Sequence, residues 1–228
     1  MSTKSDKPPV TEIAFILDRS GSMGPHAEAA IAGFNEFLRE QQAVEGIARL
    51  TLVLFDDRYE VPVDNLPVGE VTCLDAETYG PRGSTALLDA IGITIGNFKR
   101  RIKGLPEKHR PDQVIFAIFT DGLENSSRRH SWRDVAGKIR RRQDKDGWEF
   151  LFLAAGQDAI ATAAQMSIQA CNSATASVGD RGVRGSSRAF SRKARAMREA
   201  ANHPRESRTE DFHKPMSDIQ REEEGRED

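Results

Sequence analysis

The chain has 228 residues, enough to bury one sizeable core with a little chain left over. Lys plus Arg number 33 against 35 Asp plus Glu, so no bulk charge argues for nucleic acid or a membrane surface as partner. No stretch approaches the roughly 20 apolar residues of a membrane span, and the opening MSTKSDKPPV holds no secretory apolar run.

Residues 1–10 are expected to be a disordered lead-in, 11–201 a single domain and 202–228 a charged, disordered tail. Within the domain, Glu12–Leu17 (EIAFIL) is a short apolar run of the kind that forms a strand buried on both faces. The spacing of Ala27, Ala30, Ile31, Phe34, Phe37 and Leu38 predicts a helix over His26–Val44, with Gly46 as its stop. Arg49–Phe55 and Glu60–Val63 flank Asp56-Asp57-Arg58, which predicts a hairpin around a solvated turn. A second amphipathic helix follows over Thr85–Lys103, then a strand at Gln113–Phe119. Ser131 is placed to cap a helix over Ser131–Arg142. The remaining elements are a strand at Glu149–Ala154, a short helix near Asp158–Gln165, an edge strand at Ala174–Val178 and a helix over Val183–Ala201. That last helix carries Arg184, Arg188, Arg192, Lys193, Arg195 and Arg198 on one side. These are expected to be solvated, with the acidic tail free to fold back on them. Beyond His203 the sequence has too few apolar groups to offset the entropy of ordering.

Alternating strands and helices imply an α/β fold: a doubly wound, mostly parallel sheet with one antiparallel edge strand and helices on both faces. In such a sheet, ligands bind outside the carboxyl ends of the strands where strand order reverses. Three clusters of small oxygen-bearing residues fall at predicted strand or loop ends: Asp18-Arg19-Ser20-Gly21-Ser22, Pro81-Arg82-Gly83-Ser84-Thr85 and Thr120-Asp121-Gly122. Carboxylates and hydroxyls are hard donors that suit Mg2+, Mn2+ or Ca2+, and no His or Cys stands among them to favour zinc or copper. The Asp-x-Ser-x-Ser spacing sets one carboxylate and two hydroxyls on the same side of an extended loop.

Asp18, Ser20, Ser22, Thr85 and Asp121, with the flanks FILDRSGSM, RGSTALLDAI and FTDGLEN, resemble the metal-ion-dependent adhesion site of von Willebrand factor A domains. The resemblance covers roughly residues 11–200, and LAAGQDAIATAAQMSI is similar to small bacterial and phage members with a single compact domain. It implies that Ser20 and Ser22 ligate a divalent cation directly, Thr85 directly or through water, and Asp18 and Asp121 largely through bound water. It further implies that the cation, most simply Mg2+, attracts a Glu or Asp carboxylate from a partner protein. Arg19, Arg82 and Glu124 are then expected around the rim of the site.

The competing expectation is a Mg2+-dependent phosphatase-like hydrolase with an aspartyl nucleophile at the end of the first strand. Such enzymes carry a second Asp two residues on, where this chain has Ser20, and a Lys at the phosphate, for which no strand end offers a candidate. A cytoplasmic binding module that is not an enzyme is therefore expected, with Cys73 and Cys171 as reduced thiols. Nucleic acid is not expected as a partner, because the basic helix lacks aromatic residues for base stacking.

Overall fold

The computed structural model describes residues 8–121, 123–155, 159–176, 180–202 and 208–225. Six strands form one sheet: β1 (Val10–Asp18), β2 (Ile47–Phe55), β3 (Tyr59–Pro67), β4 (Gln113–Thr120), β5 (Glu149–Ala155) and β6 (Ser173–Ala176). Their spatial order is β3-β2-β1-β4-β5-β6, with every pairing parallel except β2 with β3. The chain moves outward on one side through β2 and β3, then crosses back to lay β4 on the other side of β1. Strand order thus reverses between β1 and β4, and Leu17 lies opposite Phe119 at their carboxyl ends. The predicted lead-in covers residues 1–7, which lie outside the described residues, and Val10, already in β1.

The apolar runs predicted as doubly buried strands sort their side chains by alternation. In β1, Ile13, Phe15 and Leu17 face one layer of the core, and Ala14 and Ile16 the other. The first layer is covered by α1 (Ala27–Ala43) and α5 (Asp180–Asn202), where Phe15 meets Phe34, Phe37 and Phe190 at ring-centroid distances of 5.1, 4.7 and 6.0 Å. The second is covered by α2 (Leu87–Gly104), α3 (Trp132–Asp146) and α4 (Ala159–Gln165), with Phe116 stacked on Trp148 at 5.4 Å. Ser131 caps α3 as expected, in a reciprocal capping box with Asp134, and Gly147 ends the helix in the left-handed region at φ 65°.

Two helices begin later than the periodicity predicts. A 3-10 turn over Gly21–His26 precedes α1, and α2 starts at Leu87 because the Thr85 carbonyl accepts from the Asn125 and Ser126 amides and the Asp89 amide donates to the Ser127 hydroxyl, which replaces the helical bond between them. The edge strand β3 is irregular. It contains Pro62 and Pro67, places Asn65 at φ 52°, and shifts register twice against β2.

The expectation of a disordered tail fails for residues 208–225. They form α6 (Glu210–His213) and α7 (Met216–Gly225), and Met216 and Ile219 are fully buried against the α1/α5 layer. Charge pairing supplies what apolar content does not. Arg192 of α5 contacts Asp211 at 2.6 Å and Glu222 and Glu223 at 2.9 Å. Lys193, itself buried, donates to the carbonyls of Asp211, Phe212 and Lys214 at 3.1, 2.7 and 2.7 Å. The basic side of α5 is thus mostly paired while only part of it stays exposed: Arg195 pairs with Glu40 and Glu199, Arg188 with Glu36, Arg198 is buried on the carbonyls of Gln41, Val44 and Gly46, and Arg184 is exposed as expected. At the sheet border, Gln220 of α7 donates to the Thr175 carbonyl of β6 at 3.1 Å.

Candidate metal centre

Asp18, the last residue of β1, has no solvent exposure and organises the edge where strand order reverses. One of its carboxylate oxygens accepts from the Ser20 amide at 2.7 Å, the other from the Thr120 hydroxyl at 2.5 Å, and its carbonyl accepts from the Tyr79 hydroxyl at 2.5 Å. The first contact turns the loop so that the Ser20 and Ser22 hydroxyls stand 3.0 Å apart. Ser22 then donates to Asp121 Oδ1 at 3.0 Å. Four of the five predicted residues thus form one connected set at a single loop edge.

Thr85 is joined to this set through its backbone. Its carbonyl accepts from the amides of Asn125 and Ser126, both at 3.1 Å, in the segment that follows Asp121. Two residues before it, the Gly83 carbonyl accepts from the Gly21 amide at 3.0 Å, and the Arg82 amide donates to the Arg19 carbonyl at 2.7 Å. Gly83 sits at φ 66°, and a Cβ there would lie 2.3 Å from the Asp57 carboxylate, so this crossing point of two loops requires glycine.

Burial pushes the Asp18 carboxyl above the usual carboxylate range, against the hydrogen bonds from Thr120 and Ser20 that favour its charged form, and the Asp121 charge pushes the same way. Asp121 is also raised by burial, opposed by Ser22 and by the charge of His26. Among the described residues no group of three or more His, Cys, Asp and Glu side chains is assembled to hold a metal. A cation at this edge would rely on the Ser20 and Ser22 hydroxyls alongside two carboxylates. That is an all-oxygen donor set, and it fits a hard divalent ion.

Three expectations about the surroundings are corrected. Asp56 is not in a solvated turn: it has no exposure and lies 3.3 Å from Arg19 and 2.8 Å from Arg82, both of which reach on to Glu60 at 2.6 and 2.7 Å. Arg19 is accordingly buried beneath the loop and not on its rim. Glu124 is a clamp. Its carboxylate accepts from the Leu88 amide at 2.9 Å, in the first turn of α2, and from the Ser126 and Ser127 amides at 3.0 and 2.8 Å. Asp89 does the same for the next three residues, taking the amides of Arg128, Arg129 and His130 at 2.8, 2.9 and 2.8 Å. Sequence reasoning did not assign Asn125, Glu124 or Asp89 as loop anchors. The available signal was a polar run, Asn125 to His130, with no strand or helix pattern of its own, whose backbone amides needed acceptors such as Glu124 and Asp89.

No protein-family model and no curated protein matches the sequence. Solved structures do. The von Willebrand factor type A protein of Catenulispora acidiphila superposes with a TM-score of 0.50 at 15% identity over 86% of this chain and 43% of that one. The manganese-loaded TRAP protein of Plasmodium vivax does so with 0.53 at 15% over 74% and 68%. A mussel byssus protein, proximal thread matrix protein 1 with a zinc-occupied adhesion motif, gives 0.51 at 16% over 86% and 46%. The chain spans less than half of the Catenulispora and mussel proteins. With the six-stranded, mostly parallel sheet and its single antiparallel edge, these likenesses establish that the chain has the von Willebrand factor A fold.

Proposed function

We propose that the chain is a divalent-cation-dependent protein-binding module of the cytoplasm, of the small bacterial or phage type, that acts by binding and not by catalysis. Its metal ligands would be Asp18, Ser20, Ser22, Thr85 and Asp121, with Mg2+ as the simplest ion and Mn2+ or Ca2+ as substitutes. The observation that carries this reading is the connected set from Asp18 through Ser20 and Ser22 to Asp121, at the edge where strand order reverses. Manganese and zinc in two proteins of the same fold lend it support. No described helix is long and apolar enough to cross a membrane, and both cysteines are free thiols, which accords with a cytoplasmic setting.

The bound ion would supply a positive centre with an open position for a carboxylate. The chain's own groups prepare that position. Thr120 and the Ser20 amide fix the Asp18 carboxylate, so the loop is preformed before binding. Ser22 holds Asp121 toward the same point. Two neutral hydroxyls leave more net positive charge than a carboxylate cage would, and that charge selects an acidic side chain of a partner protein. Ser20 stands where a nucleophilic phosphatase carries its second Asp, which supports binding over hydrolysis.

The test is a pull-down with the chain as bait, run in Mg2+ and in EDTA. Capture that needs Mg2+ or Mn2+, is lost in Asp121→Ala and Ser20→Ala with unchanged melts, and weakens when the partner's key Glu or Asp becomes its amide supports the proposal. A partner held as tightly in EDTA by Asp121→Ala refutes it.

A further inference from the structure

Helix α2 follows the loop that carries Thr85, α3 follows the loop that carries Asp121, and the two helices pack against each other. Between them lies an open groove of about 970 Å3. Eight Lys and Arg side chains line it against one carboxylate, Asp134, and that carboxylate is engaged in capping α3. Two of the eight are occupied: Lys138 donates to His130 Nε2 at 2.8 Å, and Arg142 pairs with Asp146 at 2.5 Å. The other six are Lys99, Arg100 and Lys103 on one wall and Arg129, Arg133 and Arg141 on the other. All are exposed, and among the described residues none forms an ion pair. The near-zero net charge of the chain conceals this, because the acids that balance these cations sit on other faces.

Two glycines lie in the same groove. Gly96 and Gly137 are helical, and a Cβ at either would meet nothing within 4 Å. Packing therefore does not require them, although glycine inside a helix costs about 1 kcal/mol relative to alanine. Facing glycines with open space above them keep the groove deep enough for a ligand to approach the helix backbone.

We infer that this groove binds the phosphodiester backbone of a duplex nucleic acid. A protein partner would normally seek an apolar or aromatic anchor. None is on offer, because the exposed large apolar side chains are Ile47, Leu66, Leu123 and Ile160, all outside the groove. A single strand would stack its bases on exposed aromatic rings, and the lining residues include none. A small anion would need enclosure on most sides, whereas all six free cations face solvent. Closely spaced phosphates on a stiff backbone ask only for a row of cations with room between them. From Arg133 to Arg141 the row on α3 extends about 12 Å at helical rise, matching roughly three or four phosphates of one strand.

The experiment is fluorescence anisotropy of a labelled mixed-sequence duplex of about 20 base pairs, with the full chain, in EDTA so that the metal edge plays no part. Binding is expected at low salt, with a log–log salt slope of about −3. Arg133→Gln combined with Arg141→Gln is expected to weaken it about tenfold or more. Gly137→Gln, which fills the groove without changing charge, is expected to weaken binding while its melting temperature holds or rises. Arg221→Gln, on α7, is expected to leave binding unchanged. No binding of the duplex, or binding indifferent to the groove variants, overturns the inference. So does tighter binding of the single strand, or capture of a poly-glutamate peptide with the duplex inert; the latter would assign the groove to an acidic protein.

Discussion

Ile219→Ala tests whether the C-terminal helices belong to the domain. Ile219 is fully buried against the α1/α5 layer together with Met216, in a helix otherwise made of polar and charged residues and a terminal glycine. Truncating a buried isoleucine to alanine costs about 2–5 kcal/mol, from lost transfer free energy plus the cavity left behind. Helix α7 is short and terminal, so it can relax into part of that cavity, which places the expected loss near the low end, at about 2–3 kcal/mol. For a chain of this size each kcal/mol moves the midpoint by about 2–4 °C, giving a fall of about 4–12 °C. Thermal melts followed by circular dichroism would measure it, with Arg221→Ala as a control. Arg221 sits on the same helix but is three-quarters exposed, and it pairs with Asp218 on the same surface, so Arg221→Ala should stay near the parent midpoint. If Ile219→Ala also melts near the parent, and removal of residues 203–228 changes nothing further, then α7 contributes no stability and its docking is incidental.

Thermal melts should also respond to the cation: with millimolar affinity, ~10 mM Mg2+ adds about 1.4 kcal/mol, a rise of roughly 3–6 °C that Asp121→Ala abolishes. Identical midpoints in Mg2+, Mn2+ and EDTA would count against the site. Burial pushes the Glu149 carboxyl up to about 7, opposed by the hydrogen bond from Gln113 and by the charges of Arg208 and Lys193. Because the folded state holds that proton more tightly than the unfolded chain does, this group's contribution is most favourable below the ordinary value of 4.5 and is lost as pH rises through 7. Glu149→Gln should therefore stabilise by about 2 kcal/mol at pH 8 and by much less at pH 5, read from urea midpoints at the two values. Gly147→Ala forces a side chain into the left-handed region at the end of α3 and should cost about 1 kcal/mol in the same assay.

Most elements were legible because each satisfies a local rule on its own. EIAFIL, QVIFAIF and EFLFLA are apolar without interruption, which only a strand covered on both faces tolerates, and β1, β4 and β5 are those strands. The carboxylate and hydroxyls of the candidate metal edge were legible from spacing, and the structure connects Asp18, Ser20, Ser22 and Asp121 side by side. What stayed hidden depends on partners distant in sequence. Met216 and Ile219 are only two apolar residues at helical spacing among acids, and their burial requires a face of α5 that local pattern does not reveal. Asp56 looked like a turn residue because its neighbours are polar, yet Arg19 and Arg82 arrive from loops 37 and 26 positions away. The α2–α3 groove was invisible for a similar reason. Its cations come from two helices distant in sequence, and only their packing brings the two sets to one groove.

Both borders of the sheet are closed to strand addition, and this limits how the molecule meets others. On one side, β3 presents Pro62 and Pro67, which offer no amide, and its two register shifts break the row of hydrogen-bonding groups that an incoming strand would need. On the other, β6 is four residues long, and Gln220 of α7 already occupies the carbonyl of Thr175. A visiting peptide therefore finds no ladder to extend, and neither does a second copy of the chain. Recognition is left to side chains and to any ion held at the loop edge, where contacts can be matched one by one. The docked C-terminal helix thus also acts as a bung for the sheet, and a chain that loses it would expose the one border able to seed stacking of sheets end to end.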